Sequence, residues 1–182
     1  TNVIQAEKFN VALSGKAQTL DPAFLQRSIS EWPIMDSIFS GLVKYKPGTY
    51  EVVPDLAKSW EFSEDDTVVT FELREGVQFH KGYGEVTAED VAFNANYTIE
   101  ENKPRKFLYS FVKGAKALDK YTVEFQLEKP FTPFLVTTAV DQGTWVVSKK
   151  AYEEMGADAF GRNPVGAGPF EFVSWEPGSA IT

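Results

Sequence analysis

The sequence predicts an α+β fold, an antiparallel sheet made of hairpins with helices packed on it. Two observations predict this. Short runs that alternate apolar and polar residues come in pairs around turn residues, as in "LVKY" and "YEVVP" about "KPGT", which is the period of half-buried strands. Other stretches repeat their apolar residues at helical spacing. A length of 182 residues with 43% hydrophobic residues is enough to bury a sizeable core.

Taken in order, "KFNVAL" reads as a short strand, and "TLDP" as a turn in which Pro22 holds Asp21 extended. Ile29, Met35, Ile38, Phe39 and Leu42 recur at helical spacing. Ser30 is placed to cap that helix, Pro33 is tolerated in its first turn, and Gly41 closes it. The pair around "KPGT" and a second pair, "SWEF" and "TVVTFEL" around "SEDD", are expected as hairpins of one antiparallel sheet. "TAEDVAFNANYTIEE" opens with Thr87 and has Asp90 three residues on, a variant of the capping box, and predicts a helix. "VKGAKALDKYTVEFQL" predicts a further hairpin turning at Asp119 and Lys120. "FTPFLVTTAV" predicts a short helix, "TWVVS" a strand, and "KKAYEEMGADAF" a helix with Tyr152, Met155 and Phe160 on one face. The closing "NPVGAGPFEFVSWEPGSAIT" reads as a loop, a strand begun near Phe170 and a turn into a second strand.

Composition excludes several chemistries. The formal net charge of −8 opposes phosphate backbones, so no nucleic-acid partner is expected. Cysteine is absent, which removes disulfides and thiolate chemistry. His80, the sole histidine, sits in a Gly-rich turn with no second His or Cys to share a metal, and is expected as a surface turn residue. Glu64, Asp65 and Asp66 are expected as a solvated charge run in a hairpin turn. Glu153 and Glu154 are neighbours on a helix and point about a hundred degrees apart, so they cannot face each other as an acid/base pair. The glycines of "NPVGAGPF" precede a strand-like run rather than a helix, unlike a phosphate loop. Ser148 and Ser174 lack a nucleophile-elbow pattern. No catalytic residue, metal ligand or cofactor is assigned.

The motifs in order, "TLDP", "IFSGLVKY", "VVPDLAKSWEFSEDDTVVTFELREGVQFHKG", "VTAEDVAFN", "YTVEFQLEKPFTPFLV" and "NPVGAGPFEFVSWEPG", resemble the large solute-binding proteins of ABC importers, family 5, which serve peptides, nickel and some sugars. The resemblance implies the first lobe of a two-lobed periplasmic-binding-protein-like fold (type II, cluster C), with ligand enclosed between the lobes. It implies that residues 1–41 begin the ligand-facing subdomain of lobe I, that 42–163 form an inserted sheet-plus-helices subdomain, and that 164–182 return to lobe I, with lobe II absent. The stretch "HKGYGEVTAEDV" is longer than the family's usual turn and is expected to be a loop variant without functional weight. In "DLAKSWEFSEDDTVVTFELREGVQF", Trp60, Phe71 and Phe79 suit burial on a sheet face, Arg74 is expected beside an acid and Gly76 in a turn.

By the same resemblance three edges face the ligand: Gly15, Lys16, Ala17 and Gln18 before "TLDP"; Phe107 and Tyr109 in "KFLYSF"; and Gln142, Thr144 and Trp145 in "DQGTW". The implied function is an extracytoplasmic receptor, periplasmic or extracellular, free or held at the membrane as a lipoprotein. It would capture a small solute (a peptide, oligosaccharide, opine or nickel complex) and present it to ABC permease subunits. The other readings are an acidic carbohydrate-active or hydrolytic enzyme domain, which needs two carboxylates facing across a cleft, and a free-standing interaction domain. With half of the enclosing walls, the chain alone is expected to bind its solute weakly.

Overall fold

In the computed structural model, which describes residues 17–25, 31–100, 103–139 and 144–182, the alternation read from the sequence becomes a four-stranded antiparallel sheet. Its strands are β3 (Ala57–Phe62), β4 (Val68–Leu73), β5 (Val112–Ala117) and β6 (Thr122–Leu127), in the order β3-β4-β6-β5. On the central strands Val69 and Phe71 are buried opposite Phe125 and Val123, with Leu73 and Leu127 also buried at the strand ends. The residues between them carry the exposed face, including the Lys116–Glu124 ion pair at 2.9 Å. Phe71 pairs with Val123 across the two central strands. Its ring lies 5.7 Å from Phe125 and 6.1 Å from Phe134 of α3 (Phe134–Ala139), so this helix closes the apolar face.

The helix α2 (Ala88–Glu100) starts where the capping signal places it. The N–H and hydroxyl of Thr87 both donate to Asp90 Oδ2, at 2.9 and 2.7 Å. The other carboxylate oxygen of Asp90 accepts from Lys149 N–H at 3.0 Å, which ties α2 to the start of α4 (Lys149–Met155). Nearly two turns further along, Asn96 meets the edge of β5 with both ends of its amide, donating to Ala115 O at 2.8 Å and accepting from Ala115 N at 2.9 Å. A helix side chain thereby satisfies backbone groups that an edge strand leaves open.

Several expectations are corrected. The first hairpin, β1 (Val43–Tyr45) with β2 (Val52–Pro54), is a separate two-stranded sheet and not part of the larger one. The chain turns at Asp55 and Leu56 directly after Pro54, and Asp55 and Ala57 donate back to Leu42 O instead of extending a ladder. The helix α1 (Trp32–Ile38) has Pro33 in its first turn but ends at Ile38, before Gly41, with Phe39 extended at φ −115° and ψ 157°. Its terminal carbonyls are taken by a distant segment: Gly168 N donates to Ile38 O at 2.8 Å and Phe170 N to Ser37 O at 2.9 Å. The "TWVVS" segment, residues 144–148, is buried but forms no ladder. It is threaded between two loops by single bonds, Val146 N to Ser40 O and Ser148 N to Val165 O. The last predicted helix is two, α4 and α5 (Ala157–Phe160), broken at Gly156, whose φ of 77° takes it out of helical space. The final strand starts not near Phe170 but at Trp175, in a small hairpin of β7 (Trp175–Glu176) and β8 (Ala180–Ile181). The expected strand "KFNVAL" and the capping role of Ser30 lie outside the described residues.

His80 is not a loose surface residue. It is half-buried, its N–H donates to Gly166 O at 2.9 Å, and its Nε2 lies 2.9 Å from Gly168 O. Beside it Lys81 Nζ donates to Asn163 Oδ1 at 2.6 Å and sits 5.0 Å from the centre of the Phe172 ring. The longer loop therefore has structural weight: it clamps the segment returning past α1. Asp65 builds its own turn, accepting from Ser63 Oγ at 2.7 Å and from Thr67 Oγ1 at 2.8 Å, which holds its carboxyl below the usual range. Among the described residues Arg74 pairs with no acid; its Nε donates to the backbone carbonyl of Asp55 at 2.7 Å.

Candidate functional site

Tyr109 and Trp145, from two of the three expected edges, come together with Pro22 and Ala23 at the "TLDP" turn. Asp21 is extended, as Pro22 after it requires, and its Oδ1 accepts from Ala23 N–H at 2.9 Å, which winds Pro22–Phe24 into a single 3-10 turn. That turn packs against a second one, Pro104–Tyr109, and Trp145 lies beside them. Pro22, Ala23, Asn94, Thr98, Arg105, Tyr109 and Trp145 line a crevice between these pieces with about 10 Å³ of space for water-sized groups.

Next to the Pro22–Phe24 turn lies a polar cluster bonded to the scaffold. Tyr152 of α4 donates to Asp21 Oδ2 at 2.6 Å and takes a hydrogen bond from the Tyr97 hydroxyl of α2 at 2.8 Å. Lys103 Nζ lies 4.2 Å from the Phe24 ring centre and 4.3 Å from that of Tyr97. Burial raises the Asp21 carboxyl above its ordinary range, against the opposing hydrogen bonds from Tyr152 and Ala23 and the charge of Lys103. Burial first, and then the Asp21 carboxylate, hold the Tyr152 phenol far above the usual tyrosine range. Nearby, Glu31 accepts from Gln18 N–H at 3.0 Å, and burial pushes its carboxyl up.

Arg105 is 6% exposed, with its guanidinium 4.9 Å from the centre of the Trp145 ring. Burial pushes it down to about 10, opposed by the smaller pull of Tyr109. The Trp145 indole N–H donates to Asp36 Oδ1 at 2.9 Å, so the ring is held from both sides by α1 and by the Pro104–Tyr109 turn. Tyr109 is buried, and burial pushes its phenol well above the usual range.

Of the residues expected at the ligand edges, Tyr109 and Trp145 line the crevice. Thr144 is buried beneath it and accepts from Leu42 N–H at 3.3 Å. Ala17 is half-buried, Gln18 exposed, and Phe107 49% exposed on the outer side of its turn. Gly15, Lys16 and Gln142 lie outside the described residues. Sequence reasoning missed Arg105, Asn94 and Thr98. Asn94 and Thr98 are one turn apart on α2 and show only as ordinary helix residues, but a cation next to a predicted ligand edge in an acidic chain was a usable signal for Arg105. Among the described residues no group of three or more His, Asp or Glu side chains lies together to hold a metal ion.

A prediction arises at Asp21. Because burial raises its folded carboxyl above the ordinary 3.8, the native state binds more protons than the unfolded chain between that value and the raised one. The contribution of Asp21 to stability is therefore complete below 3.8 and is lost as pH rises through the folded value. The stability of the wild type minus that of Asp21→Asn should fall as pH rises above 3.8 through the folded value. Glu31 titrates in both proteins and cancels in the difference. Urea unfolding across the series measures this, and a difference that grew with pH would show that the site favours the carboxylate anion.

The family model described as "Bacterial extracellular solute-binding proteins, family 5 Middle" matches residues 51–182. The chain belongs to this family. Family 5 is a family of solute-binding receptors by description, not of enzymes. Among its curated relatives, the chain is 29% identical to the dipeptide-binding protein of Escherichia coli K12, over 98% of this chain and 37% of that protein. It is 35% identical to the probable D,D-dipeptide-binding periplasmic protein DdpA of the same organism, over 92% of this chain and 34% of that one. Among solved structures, MoaA of A. tumefaciens R10 in complex with mannopinic acid superposes with a TM-score of 0.84 at 34% identity, over 91% of this chain and 34% of the other. The chain thus spans about a third of the length of these relatives, and its mixed helix-and-sheet architecture is that of part of a periplasmic binding protein. No helix among the described residues is long and apolar enough to cross a membrane.

Proposed function

We propose that the chain supplies one wall of the solute site of an extracytoplasmic receptor serving an ABC-type importer, in the periplasm or outside the cell, and that it captures its solute without covalent chemistry. The observation that carries this is the crevice itself. It has aromatic and small apolar walls, and Asn94 and Arg105 are brought there by secondary structure braced from behind by the Asp21–Tyr152–Tyr97 bonds. Polar groups fixed beside aromatic rings, here Asn94, Thr98 and Arg105 beside Tyr109 and Trp145, are what recognition of a small polar solute requires. In this reading Ala17, Gln18, Phe107, Tyr109, Thr144 and Trp145 mark the ligand edge, and the stretches with Gly15, Lys16 and Gln142 continue it. Residues 1–41 and 164–182 belong to the ligand-facing subdomain and 42–163 to an inserted one, which fits the return of Gly168 and Phe170 to the end of α1. The solute class is a peptide or a related small solute, the chemistry that the names of the dipeptide-binding relatives carry, and the partners are permease subunits.

Calorimetric titration of the chain, and of the gene product that carries it, with dipeptides and sugar-acid conjugates tests the reading. One class is expected to bind saturably and unchanged, and more tightly to the gene product than to the chain. A solute at a hundred times its Kd should stabilise the protein that binds it by about 2.7 kcal/mol. Chemical turnover of a bound solute, or no response from either protein to any class, would overturn it.

A further inference from the structure

Among the described residues the fully buried side-chain atom without a hydrogen-bond partner is His80 Nδ1; Arg105 and Asn94 are a different case, polar side chains on well-buried residues that keep access to the crevice. Both are more than nine-tenths buried, at 6% and 7% exposure, and both line the crevice. Among the described residues the Arg105 guanidinium makes no ion pair and no hydrogen bond; it lies over the Trp145 ring, 4.9 Å from its centre. The Asn94 side-chain amide has no hydrogen-bond partner there either, since the bond at that position uses its backbone carbonyl, which accepts from Thr98 Oγ1 at 2.8 Å.

The magnitudes say that this is not a stability device. Stacking a guanidinium on an indole is a modest attraction. Taking most of the cation out of water costs more than that stacking returns, and the Asn94 amide facing the crevice adds nothing to the packing. A fold that only needed to fill this space would do so with apolar atoms. The groups left over define the missing partner. Arg105 offers planar, parallel N–H donors, the match for a carboxylate, and Asn94 adds donors and an acceptor beside it. With about 10 Å³ of free space the crevice holds about one water-sized group, so a carboxylate would enter from its open side by a single oxygen.

We propose that Arg105 and Asn94 form a carboxylate subsite, so that the solute of this receptor is one that presents a terminal carboxylate to this lobe. The subsite rests on the receptor reading above, and the test separates the two. In the first arm, the Arg105 side-chain Nε–H signal is followed by NMR while the chain is titrated with sodium acetate, sodium phosphate or sodium chloride at matched ionic strength. Acetate should shift it saturably and the other anions should not. Asn94→Ala should weaken the acetate response several-fold, and Arg105→Met should abolish the accompanying change in Trp145 fluorescence. Should Arg105→Met lose its fold, as judged by amide dispersion, the wild-type response and Asn94→Ala decide alone. An equal response to chloride, or a stronger one to phosphate, overturns the carboxylate assignment.

In the second arm, the gene product is titrated with alanylalanine and with its C-terminal amide, and then with acid and amide forms of any other solute that binds. The acid should bind at least tenfold more tightly, and Arg105→Lys should remove most of that preference. If acid and amide bind alike and Arg105→Lys changes nothing, the subsite is wrong and the receptor stands. An acetate site in a protein that answers to no solute leaves the subsite standing and overturns the receptor.

Discussion

Phe71→Ala is expected to lower stability by about 3 to 5 kcal/mol, the range for truncating a fully buried phenylalanine. Phe71 has no exposed surface and sits in the middle of β4, one of the two central strands of the sheet. Its ring touches three others, with centroid distances of 6.5 Å to Trp60, 5.7 Å to Phe125 and 6.1 Å to Phe134. Those rings belong to β3, β6 and α3, so the cavity would open where three elements meet, and none can move in without giving up its own register or packing. Urea unfolding should show a lower midpoint at unchanged slope. Tyr50→Ala is the control: Tyr50 is 93% exposed, and its loss should stay within about 0.5 kcal/mol. A Phe71→Ala cost below about 1 kcal/mol would mean that this aromatic cluster is not the core of the sheet.

What the sequence made legible was whatever local periodicity or capping determines. All three hairpins of the middle region follow from alternation plus turn residues, and α2 follows from Thr87 and Asp90, because strand and cap signals act over a few residues. The failures share one cause. The end of α1, the irregular path of residues 144–148 and the late start of β7 are set by backbone bonds to segments far away in the chain, such as Gly168 N to Ile38 O. No local pattern records such a partner. His80 was misjudged for the same reason, since the carbonyls of Gly166 and Gly168 that hold it come from the other end of the chain. At the crevice, aromatic residues in "KFLYSF" and "DQGTW" were visible as candidates, and Tyr109 and Trp145 do line it. Arg105 was passed over because a single arginine among lysines looks like surface charge until its burial is known.

Gly166→Ala is expected to cost about 3 kcal/mol, the upper end of the usual range for overpacking, and the reason is steric alone. A Cβ there would lie 2.0 Å from Ile38 O, and 2.8 Å from both Ile38 C and Phe39 Cδ1. At Gly168 the Cβ would meet Ile38 C at 2.6 Å and Phe39 N at 2.7 Å. These neighbours are mostly backbone and cannot swing aside like a flexible side chain. Neither glycine has a positive φ, so alanine is compatible with the local conformation and the cost comes from parting the returning segment from the end of α1. That separation would stretch Gly168 N to Ile38 O, Phe170 N to Ser37 O and the His80 bonds together. It would also move Asp36, which holds the Trp145 indole at the crevice, so solute affinity should fall along with stability. Gly48→Ala separates the two ways in which a glycine can matter. Gly48 has φ +77° and nothing within 4 Å of an added Cβ, so its cost is the left-handed conformation alone, about 1 to 2 kcal/mol, with no effect on binding. Urea unfolding and titration of both variants decide the matter: a Gly166→Ala variant no less stable than Gly48→Ala, with its solute response intact, would show that the close approach to Ile38 does not hold the crevice in place.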